Sequence, residues 1–172
     1  MSVDIDRLED GRVKLRPLTM DDVDDWLAGE DDEQIRWFEA PRAARRGDVV
    51  AAIERWQEWW QADGPVHHWG IRDASSDALM GGVEVRDLGD GVFNLSYLVF
   101  PPFRRRGVAV GAATLAVEAA QRELGARTIR VKVLQDNSTS LAVAHRVGAV
   151  AVGAEPSDSG LSTFVVLELV LD

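Results

Sequence analysis

The chain has 172 residues and a formal charge of −10, a length expected to fold as a single domain over 1–172 with a core that needs no staples. A composition of 46% apolar and 28% charged residues excludes wholesale disorder, and the absence of cysteine excludes disulfides, thiolate zinc sites and thiol nucleophiles. The acidic balance disfavours general nucleic-acid binding, three histidines disfavour a histidine-built metal centre, and no apolar run approaches a membrane span or a signal segment, so a cytoplasmic protein without metal or membrane is expected.

In chain order, Arg12 to Leu18 alternates Val13 and Leu15 against Lys14 and Arg16, which predicts a half-buried strand that Pro17 ends or confines to an edge. Thr19 can cap a helix carrying Val23, Trp26 and Leu27 and stopping near Gly29. The acidic stretch holding Ile35, Trp37 and Phe38 reads as a partly helical loop. Asp48 can cap a second helix with Val49, Ile53, Trp56 and Trp60 on one stripe. His67–Ile71, Leu79–Arg86 and Phe93–Phe100 read as a three-stranded antiparallel meander, separated by turn residues at 75–77 and 89–91. Gly107 to Leu124 reads as a helix closed by Gly125, and Thr128–Leu134 as a strand. A short helix ending at Gly148 and two strands, Val150–Val152 and Phe164–Leu171, complete the chain. The expected class is α+β, a mixed sheet flanked by helices; the helices are not interleaved regularly enough for a Rossmann sheet.

No GxxxxGK[ST] and no GxGxxG occurs. Instead a strand runs through Pro101-Pro102-Phe103 into Arg104-Arg105-Arg106-Gly107-Val108-Ala109 and then a helix. A tight turn into a helix start leaves several amides unpaired, and the helix dipole and arginines add positive potential. The physics describes a pyrophosphate cradle; a solvated basic helix start is the alternative.

Ser96-Tyr97-Leu98-Val99-Phe100-Pro101 followed by Phe103-Arg104-x-x-Gly107-x-Ala109 resembles the central motif of the Gcn5-related N-acetyltransferases, Arg/Gln-x-x-Gly-x-Gly/Ala. Asn137-x-x-Ser140 with Gly148-Ala149 resembles that family's second motif. The opening Val13-Lys14-Leu15-Arg16-Pro17-Leu18 with Asp21 and Asp22 resembles the branch containing ribosomal-protein N-terminal acetyltransferases. The resemblance covers nearly the whole chain. It implies a mostly antiparallel sheet of about seven strands and acetyl-CoA as cosubstrate. It also implies that the strand of Tyr97, Leu98 and Val99 splays from Thr128–Leu134 after a bulge, leaving a gap for pantetheine. Leu98 and Val99 would lend it backbone pairing. Amides of Arg105, Arg106, Gly107, Val108, Ala109 and Val110 would hold the pyrophosphate. Asn137 would bond the pantetheine arm, with a helix N-cap as its other reading, and Ser140 would reach the arm or a phosphate.

This chain departs from the family pattern at two places. Ala149 stands where phenylalanine is usual. Ala144 stands where many relatives carry a tyrosine that protonates the leaving thiolate. His145 is adjacent, but it points about 100° away on a helix. For the proton acceptor the candidates are Glu84, His68, His67 and Asn94; Asn94 can orient water but cannot take the proton. An alkyl amine near pKa ~10.4 needs about 4.6 kcal/mol to lose its proton at pH 7, a peptide α-amine near ~7.7–8 only about 1 kcal/mol. In relatives the loop after the first helix walls the acceptor site, so Trp37 and Phe38 become candidate substrate contacts, suited to a cation. The expected function is acyl transfer from acetyl-CoA to a primary amine, either a peptide N-terminus or a small amine. A non-catalytic CoA-binding regulatory or sensor module is the rival reading, and a homodimer is left open.

Overall fold

Alternation of apolar and polar residues becomes strand wherever it is sustained. The computed structural model describes residues 5–157 and 159–172. β2 (Val13–Pro17) buries Val13 and Leu15 and pairs antiparallel with β1 (Leu8–Glu9), a two-residue strand too short to show a period in the sequence. A 3-10 turn (Met20–Asp22) leads into α1 (Val23–Gly29), where the Asp22 carboxylate accepts the Thr19 N–H at 2.9 Å. The acidic loop contains a true helix, α2 (Asp32–Trp37), capped by Asp31, which accepts the Gln34 N–H at 3.0 Å.

α3 (Arg46–Gln61) starts two residues before Asp48, which corrects the expected cap. Asp48 is the third helical residue and its carboxylate reaches back to the Arg45 N–H at 2.8 Å. An acid at that position serves the reciprocal half of a capping box as readily as it serves as the cap itself.

The meander forms as expected: β3 (Val66–Asp73), β4 (Leu79–Asp87) and β5 (Val92–Val99) pair antiparallel in sequence order. After a 3-10 turn (Pro101–Phe103) come α4 (Val108–Glu123), β6 (Thr128–Leu134), α5 (Ser138–Arg146), β7 (Val150–Pro156) and β8 (Thr163–Val170). The sheet has eight strands in the order β1-β2-β3-β4-β5-β6-β8-β7, one more than expected, and β5–β6 is its one parallel pair among the described residues. Leu15, Trp69, Val83, Val85, Leu95 and Val131 pack on α4 through Ala112, Ala113, Ala116 and Ala120. On the other face Leu18, Leu79 and Phe100 meet α1 and α3 through Val23 and Ile53. Helices thus flank a central open sheet.

One break in this sheet positions everything that follows. β5 and β6 pair only at Val92↔Thr128, Phe93↔Ile129 and Asn94↔Arg130. From Leu95 onward β5 stays paired to β4, up to Gly81↔Val99, while β6 pairs with β8. The expected splay is present. The expected bulge is not, because the β4–β5 register runs from Asp87↔Phe93 to Gly81↔Val99 without a shift.

Candidate active site

The turn after β5 contains two left-handed residues, Arg105 at φ 62° and Gly107 at φ 77°. They wind it tightly into α4, whose first residues have no side-chain cap. Among the described residues, no N–H from Arg105 to Val110 donates to a backbone carbonyl outside the helix ladder, and the first α4 carbonyl bond runs from Gly111 N–H to Gly107 O at 3.0 Å. A set of orphan amides at a helix start is an anion site in waiting. Nothing lies within 4 Å of where a Gly107 side chain would begin, so the approach is open. A groove of about 580 Å³ adjoins it, lined by Arg106, Gly107, Val108 and Gly111. Arg12 and Arg146 also line it, with Asp10 and Asp73. The sequence reading missed Arg12 and Arg146, since they are 94 positions before and 40 after Arg106 in a chain whose many arginines are scattered along its length. These residues fit a pyrophosphate.

Arg104 does not join them. Its Nε–H donates to Val99 O at 2.9 Å, and its guanidinium donates to both Asp31 oxygens (2.7 and 2.9 Å) and to Glu33 (2.6 Å). Those bonds hold the Asp31 carboxyl below its usual pKa against a partial offset from burial. The three-arginine patch expected from sequence is therefore two arginines, because two acids 71 and 73 residues away claim the third.

Across the split, Asn137 caps α5 with Oδ1, accepting the Ser140 N–H at 3.1 Å. Its Nδ2 group has no acceptor among the described residues, so cap and ligand roles are compatible in one side chain. Ser140 has its hydroxyl proton committed instead: Oγ donates to Tyr97 Oη at 3.1 Å, and its carbonyl accepts from Tyr97 at 2.9 Å. Tyr97 thus ties β5 to α5 through Ser140. Burial pushes its phenol up, with the Ser140 bond and the Ala144 backbone opposing. Leu98 and Val99 divide their roles. Phe100 N–H donates to Met80 O at 2.8 Å, so strand alternation turns Leu98 toward β4 and Val99 toward the split. Leu98's polar groups therefore belong to the sheet, and of the two residues it is Val99 that turns its N–H to the gap.

On the α1/α3 face, the register aligns His68, Glu84 and Ser96 across three strands, with Arg86 and Asn94 alongside. Glu84 meets His68 Nδ1 at 3.4 Å and Arg86 at 3.2 Å. Burial pushes the Glu84 carboxyl up, but those two partners more than offset it, so it lies below its usual pKa and is ionised at neutral pH. His68 is buried under Trp56, stacked with ring centroids 3.7 Å apart, and burial lowers its pKa despite Glu84. A neutral imidazole with its proton on Nδ1 is the form that can donate to Glu84. Asn94 donates to Ser96 Oγ at 3.1 Å, extending the polar row toward the split. Ser96 was missed in sequence, although its alternation with Asn94 and Leu98 was there to read. His67 faces the opposite side of the sheet, against Trp60 and Trp69, and takes no part. His145 bonds the Ala149 carbonyl at 3.1 Å and is likewise occupied.

The acceptor-wall aromatics also separate. Trp37 is half-buried, with the Arg36 guanidinium 4.3 Å from its ring centre. That cation comes from its own helix and occupies a ring face expected to be free. Phe38, at 51% exposure, is the accessible one.

A family model described as an acetyltransferase (GNAT) domain matches residues 12–150. The chain belongs to the GNAT family. Solved structures agree in fold. The ribosomal-protein-S5-alanine acetyltransferase of Vibrio fischeri superposes with a TM-score of 0.82 at 12% identity, over 96% of this chain and 97% of that one. An acetyltransferase of Agrobacterium tumefaciens gives 0.79 at 21% identity, covering 99% and 98%. The microcin C7 self-immunity acetyltransferase MccE, solved with acetyl-CoA and AMP, gives 0.80 at 16% identity over 94% of each chain. No curated protein matches the sequence. This GNAT protein is thus an acyl-transferring enzyme, of a family that binds acetyl-CoA. None of its described helices is long and apolar enough to cross a membrane.

Proposed function

We propose that this single-domain protein transfers an acetyl group from acetyl-CoA to a primary amine by direct attack, with a peptide α-amine as the favoured acceptor. The orphan amides of 105–110 support pyrophosphate binding, with Arg105, Arg106, Arg12 and Arg146 supplying countercharge. Asn137 Nδ2 and the Val99 N–H flank the split and suit the pantetheine arm and the thioester oxygen respectively. A donor fixed at that oxygen lowers the barrier by meeting charge as it develops.

The choice of acceptor rests on Glu84, which lies on the α1/α3 face of β4 in register with Ser96 of the parting strand and whose carboxyl His68 and Arg86 hold below its usual pKa. Such a carboxylate is a weak base. It can collect the proton of an amine that is already partly neutral at pH 7, directly or through water, and is poorly matched to an alkyl amine whose pKa lies about 2.5 units higher. Arg86 and His68 keep it charged, and Asn94 with Ser96 orients the approach. The fold likeness to a ribosomal-protein acetyltransferase accords with a peptide acceptor.

Turnover of acetyl-CoA against an amine panel tests the proposal: peptides with free N-termini should be acetylated faster than their lysine-only counterparts. Absence of turnover with every amine, together with binding of CoA, would favour the sensor reading.

A further inference from the structure

α2 carries an ion-pair clamp at each end. At its start the Arg104 fork holds Asp31 and Glu33 while its Nε–H holds Val99 O, which fixes this end to the carboxyl end of β5. At its other end Arg36 pairs with Asp136, in the turn that follows β6. β5 and β6 are the strands that part after Asn94↔Arg130. Six helical residues span about 9 Å at 1.5 Å per residue, so α2 bridges the two lips of the split. The clamps differ in strength. Arg104 and Asp31 side chains are 28% and 26% exposed and meet in a fork, whereas Arg36 and Asp136 are 63% and 57% exposed and share one contact. Solvent and salt weaken the second far more than the first.

We propose that Arg104 is a positioning residue for the amine acceptor: it holds α2 as a crossbar over the mouth of the split, and the Arg36–Asp136 pair is the releasable end. Arg104 then acts on the acceptor side of the site, although it adjoins the phosphate turn in sequence. The exposed Asp32 and Phe38 on this bar give an approaching amine an acidic and aromatic rim. The acceptor's place beneath α2 rests on the transferase reading above; the crossbar itself rests only on the contacts.

Two measurements on the whole chain separate these layers. In Arg104→Gln, amide hydrogen exchange across 35–40, whose N–H groups bond within this segment, should quicken by about tenfold or more while α4 and β6 keep their protection. The thermal shift given by CoA should be unchanged. In kinetics the KM for the peptide amine should rise by about tenfold with the KM for acetyl-CoA unaltered, and Arg104→Lys, which keeps charge without the fork, should fall between. Arg36→Glu should speed exchange at 36–40, and pairing it with Asp136→Lys should restore protection. Unchanged exchange in Arg104→Gln refutes the crossbar whatever the reaction is. Quickened exchange with an unaltered amine KM refutes positioning, and a lost CoA shift returns Arg104 to the phosphate cradle. Should Arg104→Gln not fold, Arg104→Lys and the Arg36/Asp136 exchange pair decide the same questions. A wild-type protein that acetylates no amine overturns the transferase reading and removes the acceptor role, while the exchange result still decides the bar.

Discussion

Asn137→Asp separates two roles that one side chain combines. The substitution keeps Oδ1, which accepts the Ser140 N–H at 3.1 Å, so the α5 cap survives. It adds a negative charge at a helix N-terminus, which is worth about 0.3–1 kcal/mol of stability. It removes the Nδ2 donor that has no acceptor among the described residues. Losing a donor to a buried pantetheine carbonyl leaves that carbonyl unsatisfied at about 1–3 kcal/mol, a weakening of about 5- to 150-fold. The expected outcome is therefore opposite in sign for the two quantities: equal or higher melting temperature without ligand, and clearly weaker CoA binding by titration calorimetry. Asn137→Ala should lose both, with about 1 kcal/mol of stability gone through the cap. If Asn137→Asp binds CoA as tightly as wild type, the residue is a cap alone and the pantetheine assignment is refuted.

Gly107→Glu should fold, since no atom lies within 4 Å of the new Cβ, at a strain of about 1–2 kcal/mol for the left-handed backbone. Its charge in the cradle should abolish the thermal shift that CoA gives the wild type; a retained shift at millimolar CoA would place the phosphates elsewhere. Glu84→Gln should lower turnover by about 10²-fold or more with CoA affinity intact, and the deficit should shrink at high pH; normal turnover at pH 7 makes Glu84 a strand residue only. Stability should depend on pH through His68, whose pKa in the folded chain is lowered, chiefly by burial, from the ordinary imidazole value of about 6.5. Below about pH 6.5 the unfolded chain binds the extra proton, so stability present above that pH is lost as pH falls, by about 1.4 kcal/mol per unit. Urea denaturation from pH 5 to 8 should show this slope reduced in His68→Phe, and an identical slope in the two proteins counts against a buried neutral imidazole.

Most elements were legible because their causes are local. The alternation of Ile129, Val131 and Val133 with Arg130 and Lys132 yields β6 over the expected span, and the 4-3-4 spacing of Val49, Ile53, Trp56 and Trp60 yields α3. Gly107 is legible for the same reason, since a left-handed helix start selects glycine wherever it occurs. The two-residue β1 and the 3-10 turn before α1 offer too few residues for any period to show.

The site was legible only as far as it is made of backbone. Amides at 105–110 follow from the turn itself, whatever packs nearby. Side-chain roles were decided by register and packing between segments far apart in the chain. Arg104 reads as a phosphate ligand until Asp31 and Glu33 arrive beside it, because a guanidinium satisfies whichever carboxylates the fold brings into reach. Ser140 reads as a ligand until Tyr97 reaches it from β5. Glu84 and His68 were visible as candidates, but their pairing requires the β3–β4 register, and the stack that keeps His68 neutral requires α3 to lay Trp56 on that face. Periodicity dictates which face of an element a residue occupies; only tertiary packing dictates what it meets there, and the charge state of a titratable group depends on that meeting.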